Sequence, residues 1–133
     1  MTTGGHGAGD PGFDLRIDTE TSGLVAVVEG RIDTVEALIV LFMRIAGELR
    51  RTGLHQVLVL DHTFGVVPAE QELRRLFESM QGQGFAGVRV AYVDMRGTAI
   101  ARMEIGEIMG RESGYECRVF DNESRARIWL HYG

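Results

Sequence analysis

The chain has 133 residues, 44% of them hydrophobic and 25% charged, with a formal net charge of −5. That length supports a single domain with its own core, without a metal or disulfide to hold it. The acidic balance excludes nonspecific nucleic-acid binding, which rests on a dense positive surface. The single Cys117 excludes an internal disulfide and a cysteine cluster for zinc. All 14 basic residues are Arg, so chemistry that needs a lysine amine, such as a Schiff base or a phosphate-loop lysine, is excluded as well.

Met1 to Gly12 holds five Gly and almost nothing apolar, and reads as a flexible tail that cannot repay the entropy of ordering. It carries no basic start followed by an apolar segment, so no secretory signal is expected. The longest apolar run, Ala37 to Met43, is seven residues, far short of the roughly 20 that a membrane span requires. A cytoplasmic protein without a membrane span is expected, with residues 13–133 as one domain.

From Phe13 the pattern alternates, with Phe13, Leu15 and Ile17 on one face and Asp14, Arg16 and Asp18 on the other, which predicts a half-exposed edge strand. A turn over Thr19 to Gly23 leads into the continuously apolar Leu24 to Val28, and the short connection makes the two an antiparallel hairpin. Asp33, with Glu36 three residues on, predicts a capping-box start for a helix that runs from Thr34 to about Arg51 and stops at Gly53. Val35, Leu38, Phe42, Ile45 and Leu49 form its inner face. Ala37, Val40 and Leu41 add apolar surface on the other side, and with Arg44 they are the residues expected at a dimer or partner interface unless neighbouring elements cover them.

Val57-Leu58-Val59-Leu60-Asp61 is apolar on both faces and predicts a central strand between two helical layers. The region beyond it, Asp61, His62 and Thr63, is where an open α/β sheet usually meets ligands. A helix follows with Pro68 in its first turn and Leu73, Leu76, Phe77 and Met80 on its inner face. Val88 to Asp94 is the next strand, again closing in an acid. Gly97 and Thr98 open a third helix running to about Gly110, Tyr115 to Phe120 alternates as a last strand, and a short helix from near Asp121 or Asn122 buries Ala126, Trp129 and Leu130. The order β-β-α-β-α-β-α-β-α predicts an α/β fold: a mixed five-stranded sheet in which an antiparallel hairpin is followed by parallel β-α units, with helices packed on it.

Few motifs rise above structural roles. Two GxGxxG matches, at 7–12 and 82–87, precede strands, whereas a dinucleotide site needs the pattern to follow a strand and open a helix. Asp61 and Asp94 both end strands, as in phospho-accepting receiver domains, yet no acidic pair follows the first strand and no lysine follows the last. No second His or Cys stands at metal-ligand spacing to His62, so neither a metal nor a cofactor is expected. Cys117 shares a strand face with Tyr115 and Val119 and reads as a packed small residue. Gly106 and Gly110 form a GxxxG spacing that permits close packing of a helix.

Arg89-Val90-Ala91-Tyr92-Val93-Asp94, Ala101-Arg102-Met103-Glu104, and the closing Val119-Phe120-Asp121 followed by Ala126 and Trp129-Leu130 resemble small bacterial STAS-like proteins. Those share the fold of anti-sigma-factor antagonists and are topologically related to the CRAL-TRIO lipid-binding fold. The resemblance implies a mixed sheet and regulation through protein contacts, or binding of a small ligand, rather than catalysis. The antagonists carry a phosphorylated serine in an Asp-Ser-Ser-Gly type motif at the start of the helix after the central strand. This chain reads Phe64-Gly65-Val66-Val67-Pro68-Ala69-Glu70-Gln71 there, so regulation at that serine is not expected, and the role does not pass to Thr63.

The leading expectation is therefore a non-enzymatic STAS-like regulatory or protein-interaction module acting through its first helix, as a homodimer or with a protein partner. The alternative is a carrier of a small apolar or anionic ligand, with a pocket at the strand ends bounded by Asp61, His62, Thr63, Asp94, Arg96 and Arg102 and walled by Met and Phe side chains. There Arg96 and Arg102 would hold a carboxylate or phosphate head group. A third reading uses Asp61 and His62 as an enzyme's acid and base.

Overall fold

The structure, a computed structural model, describes residues 12–97 and 100–132, with the side chains at 100–102 outside the description. Of the expected tail over residues 1–12, residues 1–11 lie outside the described residues, and the Gly12 carbonyl accepts the Arg31 N–H at 2.9 Å. Nine elements follow in order: β1 (Phe13–Thr19), β2 (Leu24–Gly30), α1 (Val35–Thr52), β3 (Gln56–Asp61), α2 (Glu70–Met80), β4 (Arg89–Asp94), α3 (Ile100–Glu112), β5 (Glu116–Phe120) and α4 (Glu123–Tyr132). The sheet has the order β1-β2-β3-β4-β5. β1 pairs with β2 antiparallel, and every later pair is parallel.

Because β2 to β5 advance across the sheet in one direction, crossovers of one hand place α1, α2 and α3 in one layer. The main core lies under that layer, with Ala26 and Val28 of β2, Val57 and Val59 of β3, and Val90 and Tyr92 of β4 facing it. The other phase of the same strands, Val25, Leu58, Leu60, Ala91 and Val93, packs on α4 through Ala126 and Leu130. β3, in the middle, is covered on both sides, which is why Val57 to Leu60 are all apolar. Arg89 binds α4 to the sheet: it donates to the carbonyls of Leu130 and Trp129 at 3.0 and 2.8 Å, and its guanidinium lies 4.1 Å from the centre of the Trp129 ring. A cation at the last carbonyls of a helix complements the helix dipole.

Two helix starts differ from expectation. Thr34, not Asp33, caps α1, its hydroxyl accepting from the Ala37 N–H at 3.2 Å. Asp33 instead pairs with Arg31 at 2.7 Å. Pro68 lies just ahead of the first turn of α2, where Ala69 is the cap and Glu72 accepts the Ala69 N–H at 3.0 Å.

The surface assigned to α1 also needs correction. Ala37 and Leu41 are buried in the core, Leu41 completely, rather than displayed on an outer face. Arg44, on the same flank, lies over the Phe13 ring at 5.5 Å, so this flank of α1 overlies β1. The inward row of β1, Phe13, Leu15 and Ile17, must be covered by something. The edge strand thus widens the apolar surface that α1 spans, and the helix answers with a wider buried arc. Val40 is half-buried against the core and Arg44 is exposed.

Of the two glycines in the GxxxG spacing of α3, Gly110 permits close packing. A methyl group at Gly110 would stand 2.5 Å from the Cys117 sulfur and 3.2 Å from the Phe77 ring, so glycine lets α3 approach β5 and α2 closely. Gly82, Gly84 and Gly87 form the turn before β4, all at positive φ.

Candidate ligand-binding site

β3 and β4 end side by side, with Asp61 in register with Asp94. Side chains alternate along a strand, so Asp61 shares the face of Val57 and Val59, and Asp94 that of Val90 and Tyr92. Both carboxylates therefore face the α1–α3 layer. There they line an open cavity of about 620 Å³ bounded by the sheet, that layer and the loop from His62 to Pro68. Its walls are apolar and aromatic, with Leu38 and Phe42 of α1, Leu73 and Phe77 of α2, and Met103 of α3 among them. Phe42 stacks on Tyr92 at 6.2 Å between ring centres, and Phe77 on Tyr115 at 6.1 Å.

The polar end is ordered. Asp61 Oδ1 accepts from the Thr63 N–H at 2.7 Å and the Thr63 hydroxyl at 2.6 Å, and Asp61 Oδ2 accepts from the Tyr92 hydroxyl. Asp94 is buried, and its Oδ1 accepts the Arg96 N–H at 3.2 Å. Burial pushes the Tyr92 hydroxyl well above its ordinary value, and the neighbouring Asp61 charge and hydrogen bond, then the Asp94 charge, add to that. Burial likewise raises the Cys117 thiol to about 11, with Glu107 contributing. This thiol is inert at neutral pH.

At the rim, Arg96 donates through Nε to the His62 carbonyl at 2.8 Å, and its guanidinium lies 3.3 Å from the centre of the exposed Phe64 ring. The loop that carries Phe64 is pinned to the segment between β2 and α1: the Phe64 N–H donates to the Gly30 carbonyl and the Ile32 N–H to the Phe64 carbonyl, both at 2.9 Å. Gly65, at φ 129°, passes against the Ile32 carbonyl, where no Cβ has room.

Five residues expected at the strand ends, Asp61, His62, Thr63, Asp94 and Arg96, line this one cavity. The Arg102 side chain lies outside the described residues. Asp61 is bonded to Thr63 and Tyr92, not to its neighbour His62. Sequence reasoning missed Tyr92, although its position two residues before Asp94, on the same strand face, was a usable signal. Walls of Met and Phe were expected, but Phe42 and Phe77 were assigned only to helix inner faces and Tyr115 to a strand, because such periodicity marks core and cavity wall alike. Among the described residues, no group of three or more His, Cys, Asp or Glu is placed to hold a metal, and no helix is long and apolar enough to cross a membrane.

No protein-family model matches the chain, and no curated protein matches it significantly. Among solved structures, the chain is similar to a protein of the DUF3478 family with a SpoIIAA-like fold from Shewanella loihica PV-4. The two are 16% identical, the match covers 98% of each chain, and the TM-score is 0.47. A likeness at that level concerns the fold alone, and the topology stands on the strand order and pairing described above.

Proposed function

We propose that this protein is a non-enzymatic binding module that holds a small, largely apolar ligand in the cavity at the carboxyl ends of β3 and β4. The observation that carries this is the cavity: about 620 Å³, apolar and aromatic over much of its wall, with Asp61, Thr63 and Asp94 at the strand ends among its polar groups. That anatomy is typical of small-molecule sites, which run to about 300–1,000 Å³. Asp61 serves as an acceptor for Thr63 and Tyr92 rather than as the partner of a histidine base, which favours binding over acid–base catalysis. The reading in which α1 offers a contact surface has lost its motive, because Ala37 and Leu41 are already covered by this chain.

A Gly106→Leu variant tests the proposal. Gly106 lines the cavity, and a Cβ there meets only the end of the Leu73 side chain, at 3.7 Å. The substitution fills the site while adding a better helix former. Titration with the neutral apolar dye Nile red is expected to show saturable binding to the parent, weakened at least about tenfold in the variant. Equal binding by both proteins would remove the cavity as the site.

A further inference from the structure

The polar end of the cavity says which ligand head group it accepts, and the answer differs from the anionic head group that the arginines in the sequence led us to expect. We propose that the ligand carries a positively charged head, an ammonium on an apolar body, seated against the Asp61 carboxylate; this rests on the cavity being the binding site. The donors to Asp61 are a backbone amide, the Thr63 hydroxyl and the Tyr92 hydroxyl, all neutral. They hold the carboxylate in place and leave its charge uncompensated.

Among the described residues, the other charged groups of the lining do not reverse that sign. Arg96 turns its Nε to the His62 carbonyl and lays its face on Phe64 at the exposed rim, and it forms no ion pair with Asp61. Arg118 is exposed and sits one residue out of phase with Cys117 and Val119, which face the cavity layer. Glu107 is paired with Arg111 at 2.8 Å and accepts the Val119 N–H at 2.7 Å. A half-buried negative charge with apolar walls repels an anion and attracts a cation more strongly than water-exposed charge does, because screening is weak there.

The experiment is isothermal titration of the unaltered protein with decylamine, decanol and decanoate, which share a body and differ in the head group. Decylamine is expected to bind at least about tenfold tighter than decanol, with decanoate weakest. In Asp61→Asn the preference for the amine over decanol is expected to shrink at least about tenfold relative to the parent. Decanoate binding as tightly as decylamine would overturn the charge assignment and leave the cavity reading intact. The three-probe comparison on the parent decides this even if Asp61→Asn folds poorly. Binding of none of the three, or decanol binding undiminished in Gly106→Leu, would overturn the cavity reading and the charge assignment with it.

Discussion

Tyr92 joins the core to the site, since its ring stacks on Phe42 while its hydroxyl donates to Asp61. Its ordinary pKa is 10.0 and its folded value is well above that. The unfolded chain therefore releases this proton first as pH rises. The contribution of Tyr92 is intact below pH 10 and is lost as pH climbs past 10 toward the folded value. Tyr92→Phe removes a hydrogen bond to a charged acceptor and is expected to cost about 1–3 kcal/mol at neutral pH. It should also flatten the alkaline limb, which urea denaturation at pH 7, 9 and 10.5 would show. An unchanged limb would mean that another group sets the alkaline loss. Cys117 offers a simpler check. With its thiol at about 11 and largely buried, it should react slowly with Ellman's reagent at pH 8 in the folded protein and fast in urea, and rapid native labelling would contradict the described packing.

Among the elements, α1 gives the sharpest contrast. Leu41→Glu is expected to unfold the protein rather than dissociate an assembly, because the carboxylate would enter a fully buried position without a partner, at about 3 kcal/mol or more. Circular dichroism and a melting curve distinguish the two: a folded variant of reduced mass would restore the interface reading. For α3, Gly110→Ala sets a methyl against the Cys117 sulfur and the Phe77 ring. It is expected to cost about 1–3 kcal/mol despite the better helix propensity of alanine. If that variant is more stable than the parent, close packing of α3 is not what the glycine provides.

At the scale of the whole molecule, the arrangement places every crossover helix on one face and only α4 on the other, so the cavity lies in the thicker layer, where α1, α2 and α3 converge on the strand ends. Native mass spectrometry of freshly purified protein reads the outcome directly. A monomer with extra mass of a few hundred daltons, an order typical of pocket ligands, is expected when the natural ligand is retained. A doubled mass without excess would instead direct attention to a self-association surface beyond α1.

Much of this molecule is legible in its sequence. The period of two in β1, the unbroken aliphatic run of β3 and the 3.6-residue spacing of α2 each report local geometry and which face is buried, and the five strands and four helices follow from them with ends displaced by a few residues. The grouping of Asp61, His62, Thr63, Asp94 and Arg96 followed from the rule that strand ends meet ligands. What the sequence could not rank was the two flanks of α1: an apolar residue looks the same whether it is covered by its own chain or by a partner, and only the tertiary structure, which buries Ala37 and Leu41 in this chain's core and lays Arg44 over Phe13 of β1, decided it. The sign of the site was likewise hidden. Two acids and two arginines were expected around it, but charge acts through distance and orientation. Only the tertiary structure turned Arg96 outward onto Phe64 and left the Asp61 carboxylate facing the cavity.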